Sequence, residues 1–274
     1  MSDIVRNITM EKCDEKIPKT KENITRERAL IRYLINNNIL KQTRNNRLGL
    51  IWLVINPLIT SLIYVFVFTV MRANLNAMNI IIGITIYRVI TNSIKSGLAS
   101  INDYRGGIYG ERISTIILTK GMIGGTIINI QFQTIGAAIV LYFMFDVNLM
   151  LSMSLIFITT VWGVLAEGVM LNFAKLIKNL PDLNNIVIHV IQLVFFASPV
   201  LYGFNQTSGI HRSFNTYNPI MYVIEFQRGL ISDVFTFENV NSYIPIMMFF
   251  VIVILSIRGY KSLDRVRWEV SSWS

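Results

Sequence analysis

The chain has 274 residues, 53% hydrophobic and only 15% charged, whereas an ordinary globular domain carries about 25% charge. That leaves no room for a separate enzymatic domain of about 100 residues or more, and Cys13, alone in a polar segment, excludes an intrachain disulfide framework or thiolate metal site. A net charge of +9 raises nucleic-acid binding, but the basic residues are spread over several loops between apolar runs instead of gathering on one face.

Residues 1–47 hold no apolar run of the signal-peptide kind. Within them, Glu22 to Lys41 reads ENITRERALIRYLINNNILK, with Leu30, Ile31, Leu34, Ile35 and Ile39 at helical spacing on one side. Arg26, Arg28, Arg32 and Lys41 fall mostly elsewhere. This predicts an amphipathic helix in the membrane interface, its apolar side in lipid and its basic side toward anionic headgroups. A cytosolic helix packing on a partner is the alternative.

Leu48 to Met71 then runs twenty-four residues without a charge. A helix of that length reaches about 36 Å, enough for a hydrocarbon core of about 30 Å. Five further apolar stretches follow: 75–94, 116–145, 149–173, 186–201 and 243–257. The second contains Arg88, and a cation in mid-membrane costs about 2.5–3.5 kcal/mol on insertion scales.

Six spans place both termini on one side. The segments on that side carry 21 Lys and Arg, and the other side carries Arg72, Arg212 and Arg228. By the positive-inside rule the richer side is cytoplasmic. The predicted architecture is an all-α integral membrane protein. Residues 1–47 form a cytoplasmic tail with the interfacial helix, residues 48–257 a six-span domain, and residues 258–274 a second cytoplasmic tail.

Catalytic and nucleotide motifs are absent. There is no G-x-x-x-x-G-K-[ST] loop for ATP phosphates and no H-E-x-x-H. His189 and Ser198 are nine residues apart, on opposite faces of a helix, which argues against an intramembrane Ser–His pair. Glu167 is the clear acidic residue within a span. It lies near the inner end of the fourth, where an interfacial structural contact accounts for it; a proton path is the other reading.

Three motifs carry a family resemblance. TRNNRLGLIWLVINPL, Thr43 to Leu58, contains Arg47, Gly49, Trp52, Asn56 and Pro57. FFASPVLY runs from Phe195 to Tyr202 and holds Ser198 and Pro199. YNPIMYVIEFQRG runs from Tyr217 to Gly229 and holds Asn218, Pro219, Glu225 and Arg228. In order and spacing they resemble permease subunits of ABC-type polysaccharide exporters, the O-antigen and teichoic-acid export family. Two departures stand out. That family's second span carries no charge, where this chain has Arg88. Its usual Arg–Asp pair before the fifth span is replaced by Lys178–Asn179.

The resemblance implies a homodimer served by two copies of a separate cytoplasmic ATPase subunit, which would hold the ATP and Mg; this chain would need no cofactor and bind no nucleic acid. The implied cargo is a glycan on a polyisoprenyl diphosphate lipid, carried across the bacterial cytoplasmic (inner) membrane, with membrane lipids as the other contact. Short re-entrant helices are implied in the last outer loop. Residues 102–115, NDYRGGIYGERIST, become a coupling element through Asp103, Arg105, Glu111 and Arg112. The candidate cargo path is aromatic: Tyr64, Phe68, Phe195, Phe196 and Tyr202, whose rings suit stacking on sugars. Each ring has an alternative role in helix packing or at the lipid interface. The first-span match leans toward O-antigen; capsule, teichoic acid, drug or lipid cargo are alternatives, and a membrane-bound glycan-modifying enzyme is a further one.

Overall fold

The computed structural model describes residues 21–43, 49, 51–71, 76–103, 115–173, 176, 182–236 and 240–271. Among these residues the protein is all-α. The helices are α1 (Lys21–Thr43), α2 (Ile51–Met71), α3 (Ala77–Asp103), α4 (Thr115–Met144), α5 (Leu149–Leu171), α6 (Leu183–Ala197), α7 (Gly209–Thr216), α8 (Pro219–Ser232) and α9 (Tyr243–Ser271), with a 3-10 turn at Phe204–Gln206.

Each predicted apolar stretch is helical, with shifted limits. α3 continues past Lys95 to Asp103, and α9 continues past Ile257 to Ser271. A charge ends an apolar run without ending a helix, because the backbone hydrogen bonds continue. Among the described residues, four helices are long and apolar enough to cross a membrane, over Ala77–Ala99, Ile116–Met144, Leu149–Leu171 and Tyr243–Ser262. α6, at 15 residues, reaches about 22 Å, short of a core of about 30 Å.

Asparagines start several of these helices. Asn76, Asn148, Asn218 and Asn241 each accept, through the side-chain oxygen, the backbone N–H two residues on. Each satisfies one of the donors that a helix start leaves unpaired.

α3 is the central helix. Two-thirds of its apolar window is buried (67%), against 11% for α9. Ile80, Ile82, Ile84 and Ile86 of α3 share the main core with Leu141 of α4, Leu155 of α5, Ile224 of α8, and Val200, which follows α6. Outward faces are apolar as well: Leu62, Ile63 and Phe66 on α2 and Ile186, Val190, Leu193 and Phe196 on α6 are exposed. Water would not tolerate so much open apolar surface, and lipid does.

Glycines set the closest approaches. A Cβ built at Gly259 of α9 would lie 1.8 Å from the Gly168 carbonyl oxygen of α5. Asn172 fastens the same pair of helices, its Nδ2 donating to the Leu255 carbonyl at 2.7 Å. Small residues that let backbones approach are the usual basis of helix association in lipid. Gly259→Ala is therefore expected to spread α5 from α9 and destabilise by about 1–3 kcal/mol, as overpacking does. A thermal melt of the detergent-purified protein would read this, and an unchanged midpoint would contradict the contact.

α1 differs from its expected setting. Leu34, Ile35 and Asn38 lie against Gly121, Gly124 and Gly125 of α4. Part of the side predicted to enter lipid packs on protein instead, because α4 presents a surface without side chains there.

Candidate functional site

The two later motifs meet in space. After Ala197 the chain leaves the helix at Ser198, whose backbone is extended. The segment from Ser198 to Phe204 then lies across α8 and the start of α3. Asn218 Nδ2 donates to Ser198 Oγ at 2.7 Å, while the Asn218 side-chain oxygen caps α8. Pro219 occupies the first turn of α8, where no backbone donor is needed.

Arg228 holds this junction. It is 4% exposed. Its Nη1 donates to the Pro199 and Tyr202 carbonyls and to Glu225 Oε1, each at 2.8 Å. Nη2 donates to the carbonyls of Asn79 at 2.7 Å and Val200 at 2.8 Å, and Nε donates to Asn79 at 3.2 Å. The flat guanidinium fork thus satisfies carbonyls that an irregular segment cannot pair within itself. Glu225 neutralises the charge and accepts the Phe204 N–H at 3.2 Å and the Thr236 hydroxyl. Gly83 of α3 lets Val200 approach, since a Cβ there would lie 2.1 Å from the Val200 oxygen. Arg228, counted above with the basic residues of the poorer side, is therefore a buried partner of Glu225.

The end of α6 is closed from α7. The Ala197 carbonyl accepts from Asn215 Nδ2 at 2.9 Å and from the Tyr202 hydroxyl at 3.0 Å, with His211 Nε2 at 2.8 Å. Burial pushes the Tyr202 phenol up to about 12, so at neutral pH it keeps the proton it donates. Ser198 and His189 do not pair: His189 Nδ1 faces Gln192 Oε1 at 3.4 Å on its own helix.

A second polar centre lies in the bundle. Glu167 is 1% exposed. Its Oε1 accepts the hydroxyls of Thr126 at 2.8 Å and Ser96 at 3.1 Å, and its Oε2 accepts the Tyr260 hydroxyl at 3.0 Å. The carboxyl thus joins α5 to α4, α3 and α9. The structural contact expected for it is a buried one among α3, α4, α5 and α9, where three hydroxyls converge from distant parts of the chain.

Of the aromatic candidates, Phe195 is partly buried, its ring edge-on to Tyr87 with centroids 5.1 Å apart, and Phe196 is 70% exposed. Tyr202 is committed to the α6 end. Gly49 has φ +52°, a turn just before α2, and the Trp52 N–H donates to its carbonyl at 3.4 Å. Asn56 is exposed. Arg47, Arg105, Glu111 and Arg112 lie outside the described residues, as do the side chains of Pro57, Tyr64, Phe68 and Asp103. No group of three or more His, Cys, Asp or Glu among the described residues could hold a metal ion. Sequence reasoning missed Asn79, Thr126 and Tyr260; nothing local distinguishes them, since their partners are 41 to 149 residues away.

The bundle, all-helical among the described residues and apolar on its outer faces, is that of an integral membrane protein, and the chain belongs to the ABC-2 type transporter family, whose profile matches residues 29–232. It is therefore a transport subunit. The chain is 25% identical over 268 residues to the O-antigen export system permease protein RfbA of Klebsiella pneumoniae, covering 92% of this chain and 97% of that protein. The resemblance to ABC exporter permeases drawn from the three motifs is thereby met over nearly the whole chain.

Proposed function

We propose that this chain is the membrane subunit of an ATP-driven exporter that carries a lipid-linked polysaccharide of the O-antigen kind across the bacterial cytoplasmic membrane. It works as a homodimer with two separate ATPase subunits, and both termini face the cytoplasm. The observation that carries this reading is the union of two of the exporter motifs in one buried network, Arg228 with the Ser198–Phe204 segment. Motifs that fold onto each other form one functional part. The full-length similarity to an O-antigen permease supports the cargo. In this reading α7 and α8 are re-entrant helices at the outer mouth, a place where irregular backbone is acceptable because it is buried in protein.

Residues 102–115 serve as the coupling element, and Tyr64, Phe68 and Phe196 belong to the glycan path. The test uses a strain lacking the gene, complemented with wild type or with Glu111→Arg combined with Arg112→Glu. Wild type should restore surface polymer and co-purify with its ATPase. The double reversal should lose most of that ATPase or hydrolyse ATP without export. Normal export and normal hydrolysis in the double reversal would remove the coupling role, and no polymer from wild type would remove the exporter reading.

A further inference from the structure

α7 has one side on protein and the other turned away from it. Asn215 is buried and donates to the Ala197 carbonyl at 2.9 Å, and His211 Nε2 lies 2.8 Å from the same oxygen. The Arg212 guanidinium stands over the Phe204 ring, 5.1 Å from its centroid. Ile210, Phe214 and Tyr217 fall on the opposite side, at i, i+4 and i+7. They are 91%, 44% and 69% exposed. Three large side chains in one open row, on a helix of only 8 residues, are not the scattered exposure of an ordinary surface.

The length of α6 sets the depth of this row. Lys178 and Asp182 precede α6, and Asp182 is exposed, so hydrocarbon begins no earlier than Leu183. The 15 residues of α6 cover about 22 Å of a core of about 30 Å, and about 8 Å remain beyond Ala197. α7 is hydrogen-bonded to the carbonyl of that residue and lies within this layer. The exposed row Ile186, Val190 and Leu193 of α6, read above as facing lipid, runs toward the same level. Tyr217 has a counterpart in Tyr243, 80% exposed at the start of α9, and tyrosines gather where hydrocarbon meets headgroups. His211 and Arg212, both exposed, flank the row as the polar side of an interfacial helix does.

We propose that α7 is an interfacial helix whose Ile210–Phe214–Tyr217 row lies in the bilayer, at the boundary of acyl chains and headgroups. Its partner is lipid, which covers the side that protein leaves open. The end of α6 and the segment after it are thereby held from two directions, by Arg228 from within the protein and by the bilayer through α7. That the leaflet is the outer one rests on the orientation proposed above. The contact with lipid does not.

The experiment uses the full-length chain in phosphatidylcholine nanodiscs, with Cys13→Ser removing its one cysteine. A nitroxide is attached in turn through Ile210→Cys, Phe214→Cys and Ser208→Cys, the last at the exposed start of α7 on its polar side. Molecular oxygen concentrates in hydrocarbon and a nickel chelate in water, so collisions of each label with the two reagents read its surroundings. Oxygen should exceed nickel severalfold at Ile210→Cys and Phe214→Cys, and the order should reverse at Ser208→Cys.

Nickel in excess at both row positions would overturn the contact. Few collisions with either reagent, together with dipolar coupling between labels on two copies, would assign the row to a second copy of the chain and overturn it as well. Should Phe214→Cys fail to accumulate, Ile210→Cys decides, since that side chain is almost fully open. A membrane-impermeant thiol reagent tests the orientation separately. Ser208→Cys that reacts in inside-out vesicles and not in spheroplasts would sink the assigned leaflet and the exporter orientation, with the lipid contact upheld by the oxygen data. Labelling in spheroplasts beside a nickel excess on the row would sink the lipid contact alone.

Discussion

Arg228→Ala is expected to abolish accumulation of folded protein. The substitution leaves the Glu225 carboxylate buried without its cation, and it leaves the carbonyls of Asn79, Pro199, Val200 and Tyr202 without the donor that gathers them. Breaking a buried ion pair by removing one partner costs about 3–5 kcal/mol, and each unsatisfied buried carbonyl adds about 1–3 kcal/mol before relaxation. Folded proteins have only about 5–15 kcal/mol in reserve. Arg228→Lys should do better than alanine yet fall short of wild type: an ammonium keeps the charge for Glu225 but has three donors in place of a planar five. The measurement is the yield of monodisperse protein after detergent extraction, with export alongside. Wild-type yield from Arg228→Ala would show that the segment after α6 is held by something other than this fork.

Glu167→Ala should rank next. It removes the acceptor shared by Ser96, Thr126 and Tyr260 and opens a cavity among α3, α4, α5 and α9. Hydrogen bonds between membrane helices average about 0.6 kcal/mol and reach about 1.7 kcal/mol. With the cavity term, a loss of about 2–4 kcal/mol is expected. Glu167→Gln should be far milder, about 1 kcal/mol or less. The amide oxygen can still accept from Ser96 and Thr126, and the Tyr260 hydroxyl already has the Val164 carbonyl within 3.0 Å as an alternative acceptor. Thermal midpoints of the purified variants would rank them, and alanine and glutamine variants of equal stability would show that the carboxyl does not join the helices.

Arg88 and Arg228 stand in different surroundings. Arg228 spends every donor on backbone and on Glu225 and is closed to solvent. Arg88 touches a neighbouring helix and stays partly open. The first keeps an irregular segment in place.

What the sequence by itself determined is whatever acts locally. Apolar runs marked six of the stretches that proved helical, since a backbone in lipid must pair its own N–H and C=O groups. Asn218 and Pro219 marked the start of α8, because capping depends on residues within one turn. The pair Glu225 and Arg228 was legible as an i,i+3 spacing. Only the tertiary structure decided what those side chains are for. The fork of Arg228 reaches carbonyls 26 to 149 residues away, and Glu167 gathers hydroxyls from three other helices. The glycine at 259 matters because Gly168 lies against it. Such contacts depend on how helices cross, and crossing is set by the summed packing of all of them, which no single stretch of sequence encodes.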